Sequence, residues 1–363
     1  MFLFKFKLNV VIIFILLVNN LNVQNVHIKK KIGVIGLGHS QNVGNNLLKF
    51  AIFIKLSELG FLPYIVGTRH KNHNISFISN VTNIRLINNF SEINENDFDI
   101  LNIFLLLVTF QNLNSDQTWR KWDKYFYDIA FLKFAENWRK PKFVYGASLG
   151  SEKWKLKKRD VKIARHLLKN FTGISVREKN SVKLVEMNLG YKAQFVLDPT
   201  LLIDKKYYLD LINDYRSEIF KTINNRDFIF VYVIIRSMFL ENYLKFVKNN
   251  LMIKIFYINM ETKDQVKEFL YGIRNCKAVI TDSFHGTLFS IIFKKPFVTF
   301  INRLNDNSRF KSLDEIFNIK NRIFTLKSFP PISLLNQPLI INESKLISLK
   351  KESINYLKNN LIH

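Results

Sequence analysis

From Lys31 onward, short apolar runs rich in β-branched residues alternate with longer stretches whose apolar residues recur every three or four positions. The runs Lys31–Leu37, Leu62–Gly67, Ile100–Val108, Lys142–Ser148, Gly173–Val176 and Gln194–Leu197 predict buried strands. They lack in/out alternation because a strand covered on both faces needs none. Stretches 45–59, 119–138, 158–170 and 178–189 predict amphipathic helices between them. A second series follows: a helix from about 205, strand Phe228–Ile235, a helix over 240–250, strand Ile253–Ile258, a helix over 262–274, strand Lys277–Thr281, a helix from Gly286, and strand Pro296–Ile301. Strands alternating with helices over this length predict an α/β chain with two parallel sheets, each covered by helices on both faces. The break at Asp198-Pro199-Thr200 divides the domains into 31–202 and 203–330. Residues 331–363 form a C-terminal segment whose helix, about Glu343–Asn359, either caps the second domain or crosses back to the first. No internal repeat or long flexible linker is visible.

Residues 1–30 depart from this pattern. Lys5 and Lys7 precede an unbroken run of nine apolar residues, Val10–Val18. That is the outline of a signal peptide, with too short a core for a comfortable membrane span. No small-x-small cleavage site stands around residues 18–26, so a cleaved signal and an uncleaved anchor remain equal readings. The expected localisation is therefore membrane-associated or secretory, with membrane association through residues 1–22; an extra strand or helix on a cytoplasmic protein is the plain alternative. Sequons at Asn74, Asn80, Asn89, Asn170 and Asn342 decide little in a chain so rich in asparagine.

With 363 residues, 48% of them apolar, the chain is long enough for two domains with real cores. The 54 basic residues against 29 acidic give a net charge of +25. Lysine and asparagine are spread through every segment, so the charge reads first as a chain-wide bias, and no specific nucleic-acid partner is expected. Attraction to an anionic substrate or membrane surface is the second reading. The single cysteine, Cys276, excludes an intrachain disulfide and a cysteine metal site.

Candidate chemistry concentrates where strands end. After Ala278–Thr281 come Asp282, Ser283, Phe284, His285 and Gly286, and the apolar helical run through Leu288, Ile291 and Ile292 follows at once. Open α/β sheets place ligands at such carboxyl ends, and backbone N–H groups at a helix start favour anions. His285 thus reads either as a structural hydrogen-bonder or as a group that titrates during reaction. At the front of the first domain, Gly33-Val-Ile-Gly-Leu-Gly-His-Ser-Gln-Asn-Val-Gly-Asn-Asn-Leu-Leu48 follows a strand and opens a helix; its glycines permit a tight turn and let a ligand approach the backbone, but their spacing departs from the dinucleotide fingerprint. The second strand also ends in Gly67-Thr68-Arg69 with no acidic residue for a ribose, which argues against a nicotinamide cofactor. Asn45 and Asn46 read equally as helix-capping residues and as polar contacts facing a cleft. In Asn114–Arg120, Ser115 or Asp116 caps a helix, or Asp116 and Gln117 stand at a strand end where they hydrogen-bond sugar hydroxyls. Arg177 ends a short strand, where it grips a carboxylate or phosphate bidentately, pairs with Glu178, or caps a helix in solvent. His39, His70, His73 and His166 lack ligand-like spacing with acidic partners, so no protein-built metal site is expected.

Over most of residues 31–320, five of these clusters in order resemble the polysaccharide pyruvyl transferase family: Asn42-Val-Gly-Asn-Asn-Leu-Leu48, Ser115-Asp-Gln-Thr-Trp119, Ile174-Ser-Val-Arg-Glu-Lys179, Val196-Leu-Asp-Pro-Thr-Leu-Leu202 and Ile280-Thr-Asp-Ser-Phe-His-Gly-Thr287. One departure is Asn114, where related sequences usually have glycine. The resemblance implies two Rossmann-like domains similar to GT-B glycosyltransferases, with the site in the inter-domain cleft. It also implies transfer of a pyruvyl group from phosphoenolpyruvate to two hydroxyls of a sugar or polysaccharide acceptor, with no cofactor besides that donor. His285 matches the family's catalytic or donor-binding histidine and Arg177 its donor-binding arginine. Asn45, Asn46, Asp116, Gln117, Asp282, Ser283 and Gly286 complete the expected substrate-binding set. A donor with a carboxylate and a phosphate needs cations and oriented N–H groups, which Arg177 and the turn Ser283–Gly286 supply. His285 then serves as acid, as base or as neutraliser of the departing phosphate. Arg177 and His285 are expected to face one another across a cleft with room for a small dianion. Two other functions share these features: a GT-B glycosyltransferase using a nucleotide sugar, and a non-catalytic polyanion-binding protein.

Overall fold

Buried apolar runs joined by helices pair in parallel, and two separate sheets result. The computed structural model describes residues 29–35, 42–68, 81–104, 130–150, 152–154, 156–215, 228–258, 264–301 and 307–362. The first sheet comprises β1 (Lys31–Ile35), β2 (Leu62–Thr68), β3 (Ile84–Ile87), β4 (Ile100–Phe104), β5 (Lys142–Ala147), β6 (Gly173–Val176) and β7 (Gln194–Phe195). Its spatial order is β3-β2-β1-β4-β5-β6-β7. The second comprises β8 (Phe228–Tyr232), β9 (Lys254–Tyr257), β10 (Ala278–Thr281), β11 (Phe297–Ile301) and β12 (Ile323–Thr325), in the order β12-β11-β10-β8-β9. All described pairings are parallel, with Val34 opposite Asn102 in the first sheet and Thr281 opposite Tyr232 in the second. Strand order reverses between β1 and β4 and again between β8 and β10. Doubly wound sheets open a crevice at such points.

Among the described residues the helices are α1 (Val43–Glu58), α2 (Lys158–Leu168), α3 (Lys179–Leu189), α4 (Lys205–Asp210), α5 (Met238–Leu251), α6 (Gln265–Asn275), α7 (Phe284–Ile292), α8 (Ser308–Phe317) and α9 (Glu343–Leu361). Asn42 starts α1 by accepting the Asn45 N–H on its side-chain oxygen at 3.1 Å. Leu47, Leu48, Ala51, Ile52, Ile54 and Leu56 leave the helix apolar on nearly every side, and it is buried accordingly. It packs on β2, on the 3₁₀ turn Pro199–Leu201 and on α6, so it belongs to both halves. One core therefore runs from Ile32, Val34 and Leu48 through Tyr208 to Phe230, Phe269 and Phe289. Tyr208 meets Phe289 edge to face at 4.9 Å and Phe50 at 6.1 Å. Each such side chain contributes about 2 kcal/mol by leaving water.

The terminal helix takes the second of its two expected courses. Tyr356 donates its hydroxyl to the Val144 carbonyl at 2.7 Å, the Leu197 N–H donates to Ser353 Oγ at 2.9 Å, and Thr172 Oγ1 donates to Asn360 Oδ1 at 2.9 Å. α9 thus lies along β5–β7 of the first sheet. No described strand of either sheet lies between Phe195 and Phe228.

Among the described strands and α-helices, three went unread in the sequence. β3 is a four-residue edge strand with three half-buried residues, and β12 has three residues, so neither carries a pattern above its surroundings. α8 does place Phe310, Leu313, Ile316 and Phe317 on one buried stripe, among polar residues that disguise it. Of the helix expected over 119–138, residues 119–129 lie outside the described residues, and a short 3₁₀ turn, Lys133–Ala135, occupies part of the remainder.

The expected localisation requires correction. Among the described residues no helix is long and apolar enough to cross a membrane. The apolar leader, Val10–Val18, lies outside them.

Candidate active site

The chain turns from β10 directly into α7, and the turn is tied to the neighbouring strand. Ser283 caps the helix by accepting the Gly286 N–H at 3.4 Å, and its own N–H donates to Thr281 Oγ1 at 3.0 Å. Thr281 passes the connection on by donating its hydroxyl to the Tyr232 carbonyl of β8. A Cβ on Gly286 would stand 2.2 Å from Thr281 Oγ1, so the close approach of helix to strand requires glycine. The Asp282 carboxylate accepts the N–H groups of Ile234 and Ile235 at 2.6 and 2.8 Å, pinning the loop that leaves β8. Burial pushes its carboxyl up, and those N–H groups partly offset the rise.

His285, the second residue of α7, is 7% exposed. Its ring stands edge-on to Phe284 at 5.2 Å, and its buried Nε2 has no hydrogen-bond partner. The opposite wall comes from the first sheet: a Cβ built on Gly44, the second residue of α1, would fall 2.0 Å from His285 Nδ1. An imidazole from one sheet therefore lies against the first helical turn of the other. Burial pushes its pKa down to about 3, with Arg177 and Arg309 reinforcing the shift and Asp198 opposing it. The ring is neutral at pH 7.

Arg177 follows β6, where its N–H donates to the Ala147 carbonyl at 3.0 Å. Its side chain is only 2% exposed. Nη1 donates to Asp198 Oδ2 at 2.5 Å, Nε lies 3.7 Å from Glu178 Oε1, and the guanidinium carbon sits 5.2 Å from the centre of the Phe284 ring. Both carboxylates have further partners. Asp198 accepts the Thr200 N–H at 3.0 Å and its hydroxyl at 2.7 Å; Glu178 accepts the Leu149 N–H at 3.0 Å, Ser181 Oγ at 3.1 Å and the Ser148 hydroxyl. Burial raises the Asp198 carboxyl, yet Arg177, His285 and Thr200 together hold it below the usual carboxylate range. Arg309, from α8, brings a second guanidinium to 5.4 Å from the same Phe284 ring.

Arg177 and His285 are thus brought together, with the Phe284 ring 5.2 Å from each. Both side chains are buried. The Glu178 pairing considered for Arg177 is present, and Asp198 joins it. Asn45 and Asn46 are half-buried in the first turn of α1, with the Asn46 N–H donating to the Asn42 carbonyl at 3.2 Å. Asp282 and Ser283 support the turn itself. Asp116 and Gln117 lie outside the described residues. Sequence reasoning passed over Gly44, Asp198, Phe284 and Arg309 as site residues. Asp198 carried a signal, since Asp-Pro-Thr is a helix-start signature, whereas Arg309 carried none. Among the described residues no group of three or more His, Cys, Asp or Glu is placed to hold a metal ion.

The sequence model of the family described as polysaccharide pyruvyl transferase matches residues 42–303, well over half of the chain. The chain belongs to the polysaccharide pyruvyl transferase family. The match takes in α1, Arg177, Asp198 and the whole His285 turn. Comparison with curated protein sequences gives no match. Among solved structures, UDP-GlcNAc 2-epimerase from Neisseria meningitidis bound to UDP-GlcNAc is similar at a TM-score of 0.55 and 9% identity, over 92% of this chain and 99% of that one. The S. aureus MnaA–UDP complex is similar at a TM-score of 0.50 and 12% identity, over 91% and 97%. At these identities the likeness concerns architecture: this pyruvyl transferase family member has the two-sheet α/β arrangement of GT-B-type enzymes.

Proposed function

We propose that this enzyme transfers the pyruvyl group of phosphoenolpyruvate to two hydroxyls of a sugar, forming a cyclic ketal and releasing phosphate. The supporting observation is His285, a buried neutral imidazole with an unpartnered Nε2, at a helix start beside the switch point of the second sheet. The methylene carbon of the donor takes up a proton, the first sugar hydroxyl attacks the neighbouring carbon, phosphate leaves, and the second hydroxyl closes the ring. One hydroxyl proton balances the new methyl group and the other leaves with phosphate. His285, neutral before the donor enters, takes the proton from the attacking hydroxyl, and the incoming negative charge raises its affinity for that proton. Arg177 is taken up by Asp198 and Glu178 and frames the site without lending it positive charge, so N–H groups at the starts of α1 and α7 meet the donor's anionic groups. No cofactor enters this scheme.

A nucleotide-sugar glycosyltransferase is the second reading, because the architecture also occurs in the UDP-bound structures above. One assay separates the two. The protein is incubated with phosphoenolpyruvate, or with a nucleotide sugar, and a panel of galactosides, mannosides and N-acetylhexosamines, scoring phosphate release and pyruvate ketal on the sugar. His285→Ala is expected to lower ketal formation by about 10²- to 10⁴-fold. No phosphate release with any acceptor, or full activity in His285→Ala, would sink the reading.

A further inference from the structure

The contact between Gly44 and His285 joins elements from different sheets, and it is closer than any side chain would permit. A Cβ at position 44 would lie 2.0 Å from Nδ1, 2.4 Å from Cγ and 2.8 Å from Cε1 of the imidazole. All three distances are below van der Waals contact, so with any other residue the ring moves or the helices part. The ring has little freedom to yield elsewhere. Phe284 stands against it, and the Phe284 ring is itself covered by the guanidinium groups of Arg177 and Arg309. α1 cannot retreat easily either, since Val43, Leu47 and Leu48 are fully buried in the core shared by both sheets. Glycine is otherwise a poor choice in a helix, where alanine is favoured. Its presence here is accounted for by what it touches.

We propose that Gly44 is a positioning residue for His285: the missing side chain at the second position of α1 lets the imidazole lodge in the seam between the two sheets. The register of one domain against the other then sets where the reacting nitrogen stands. The catalytic consequence rests on the reading of His285 given above, whereas the positional claim does not.

The test uses the full chain as wild type, Gly44→Ala, His285→Ala and the double variant. The ¹³C-labelled imidazole signal of His285 is assigned by its loss in His285→Ala. In the wild type it is expected to stay flat between about pH 5 and 8, and in Gly44→Ala to titrate near the ordinary histidine value because the ring is displaced toward water. Gly44→Ala is expected to lower Tm when His285 is present and to leave it unchanged or higher when His285 is alanine, since the clash is gone and helix propensity remains. In the ketal assay Gly44→Ala is expected to lower kcat by about a hundredfold with a smaller change in the donor KM, as a misplaced reacting group does. If Gly44→Ala alone does not fold, the double variant is expected to fold, and its failure would overturn the proposal. An unchanged His285 titration with Tm shifts equal in the two backgrounds would overturn it as well. A wild type that forms no ketal defeats the functional reading only, because the imidazole signal and the Tm cycle need no substrate.

Discussion

Arg177 and His285 both stand where parallel strands give way to helices, and both are withdrawn from water, yet their surroundings differ in kind. Arg177 is ion-paired: Asp198 accepts from Nη1, Glu178 lies 3.7 Å from Nε and the face of Phe284 covers the guanidinium, although Nε itself makes no hydrogen bond. His285 offers a buried nitrogen that nothing meets. The difference follows from the cost of burial. An unpaired charge in a core costs several kcal/mol, so a buried arginine persists only with counter-ions. A neutral imidazole without a hydrogen bond costs about 1–3 kcal/mol, which a fold can bear where a substrate later supplies the partner. The fold thus neutralises its buried charge with counter-ions and leaves its buried neutral nitrogen without a partner.

The sharpest way to break that comparison is Arg177→Met, which leaves Asp198 and Glu178 buried without their cation. A loss of about 3–5 kcal/mol is expected, read as a lower urea midpoint at unchanged slope. A loss under about 1 kcal/mol would mean that the pairing holds little.

Acid titration probes the other member. With a folded pKa of about 3 against an ordinary 6.5, His285 binds its proton more readily in the unfolded chain. Its contribution is therefore complete above about pH 6.5 and falls as pH drops toward 3, by up to about 1.4 kcal/mol per pH unit. Asp198, held below the usual carboxylate range by Arg177, His285 and Thr200 against the opposing effect of burial, keeps its full contribution above that range and loses it only as the pH falls through it. Urea midpoints measured from pH 7.5 to 4.5 should thus fall more steeply for the wild type than for His285→Asn. Parallel curves would place the imidazole in water.

A smaller effect comes from Asp282, the satisfied neighbour of the unsatisfied histidine. Asp282→Asn turns one acceptor into a donor against the Ile234 or Ile235 N–H, with an expected loss of about 1–3 kcal/mol in the same unfolding measurement. An unchanged midpoint would show that the loop after β8 holds itself.

Much of the fold was legible because buried parallel strands and their crossover helices are written in local patterns. Val279 and Ile280 leading into Asp282-Ser283, then Leu288 and Ile291, reads as strand, turn and helix, and that is the arrangement found. Short edge strands such as Ile84–Ile87 were lost because a few half-buried residues leave no period to detect. Site chemistry divided in the same way. His285 and Arg177 announced themselves by type and by their place at strand ends. Gly44 read only as part of a permissive turn, and Arg309 was one cation among 54 basic residues.

By itself the sequence determined the α/β class, the two parallel series, the crest at Asp282–Gly286 and the family. Those properties depend on residues near one another along the chain, where periodicity and turn chemistry act. Only the tertiary structure decided that Gly44 abuts His285, that Arg177 is consumed by Asp198 as well as Glu178, and that α9 returns to the first sheet. Such contacts join positions remote in sequence, and they are selected by which charges lose their water together and which surfaces fit once both sheets share a core.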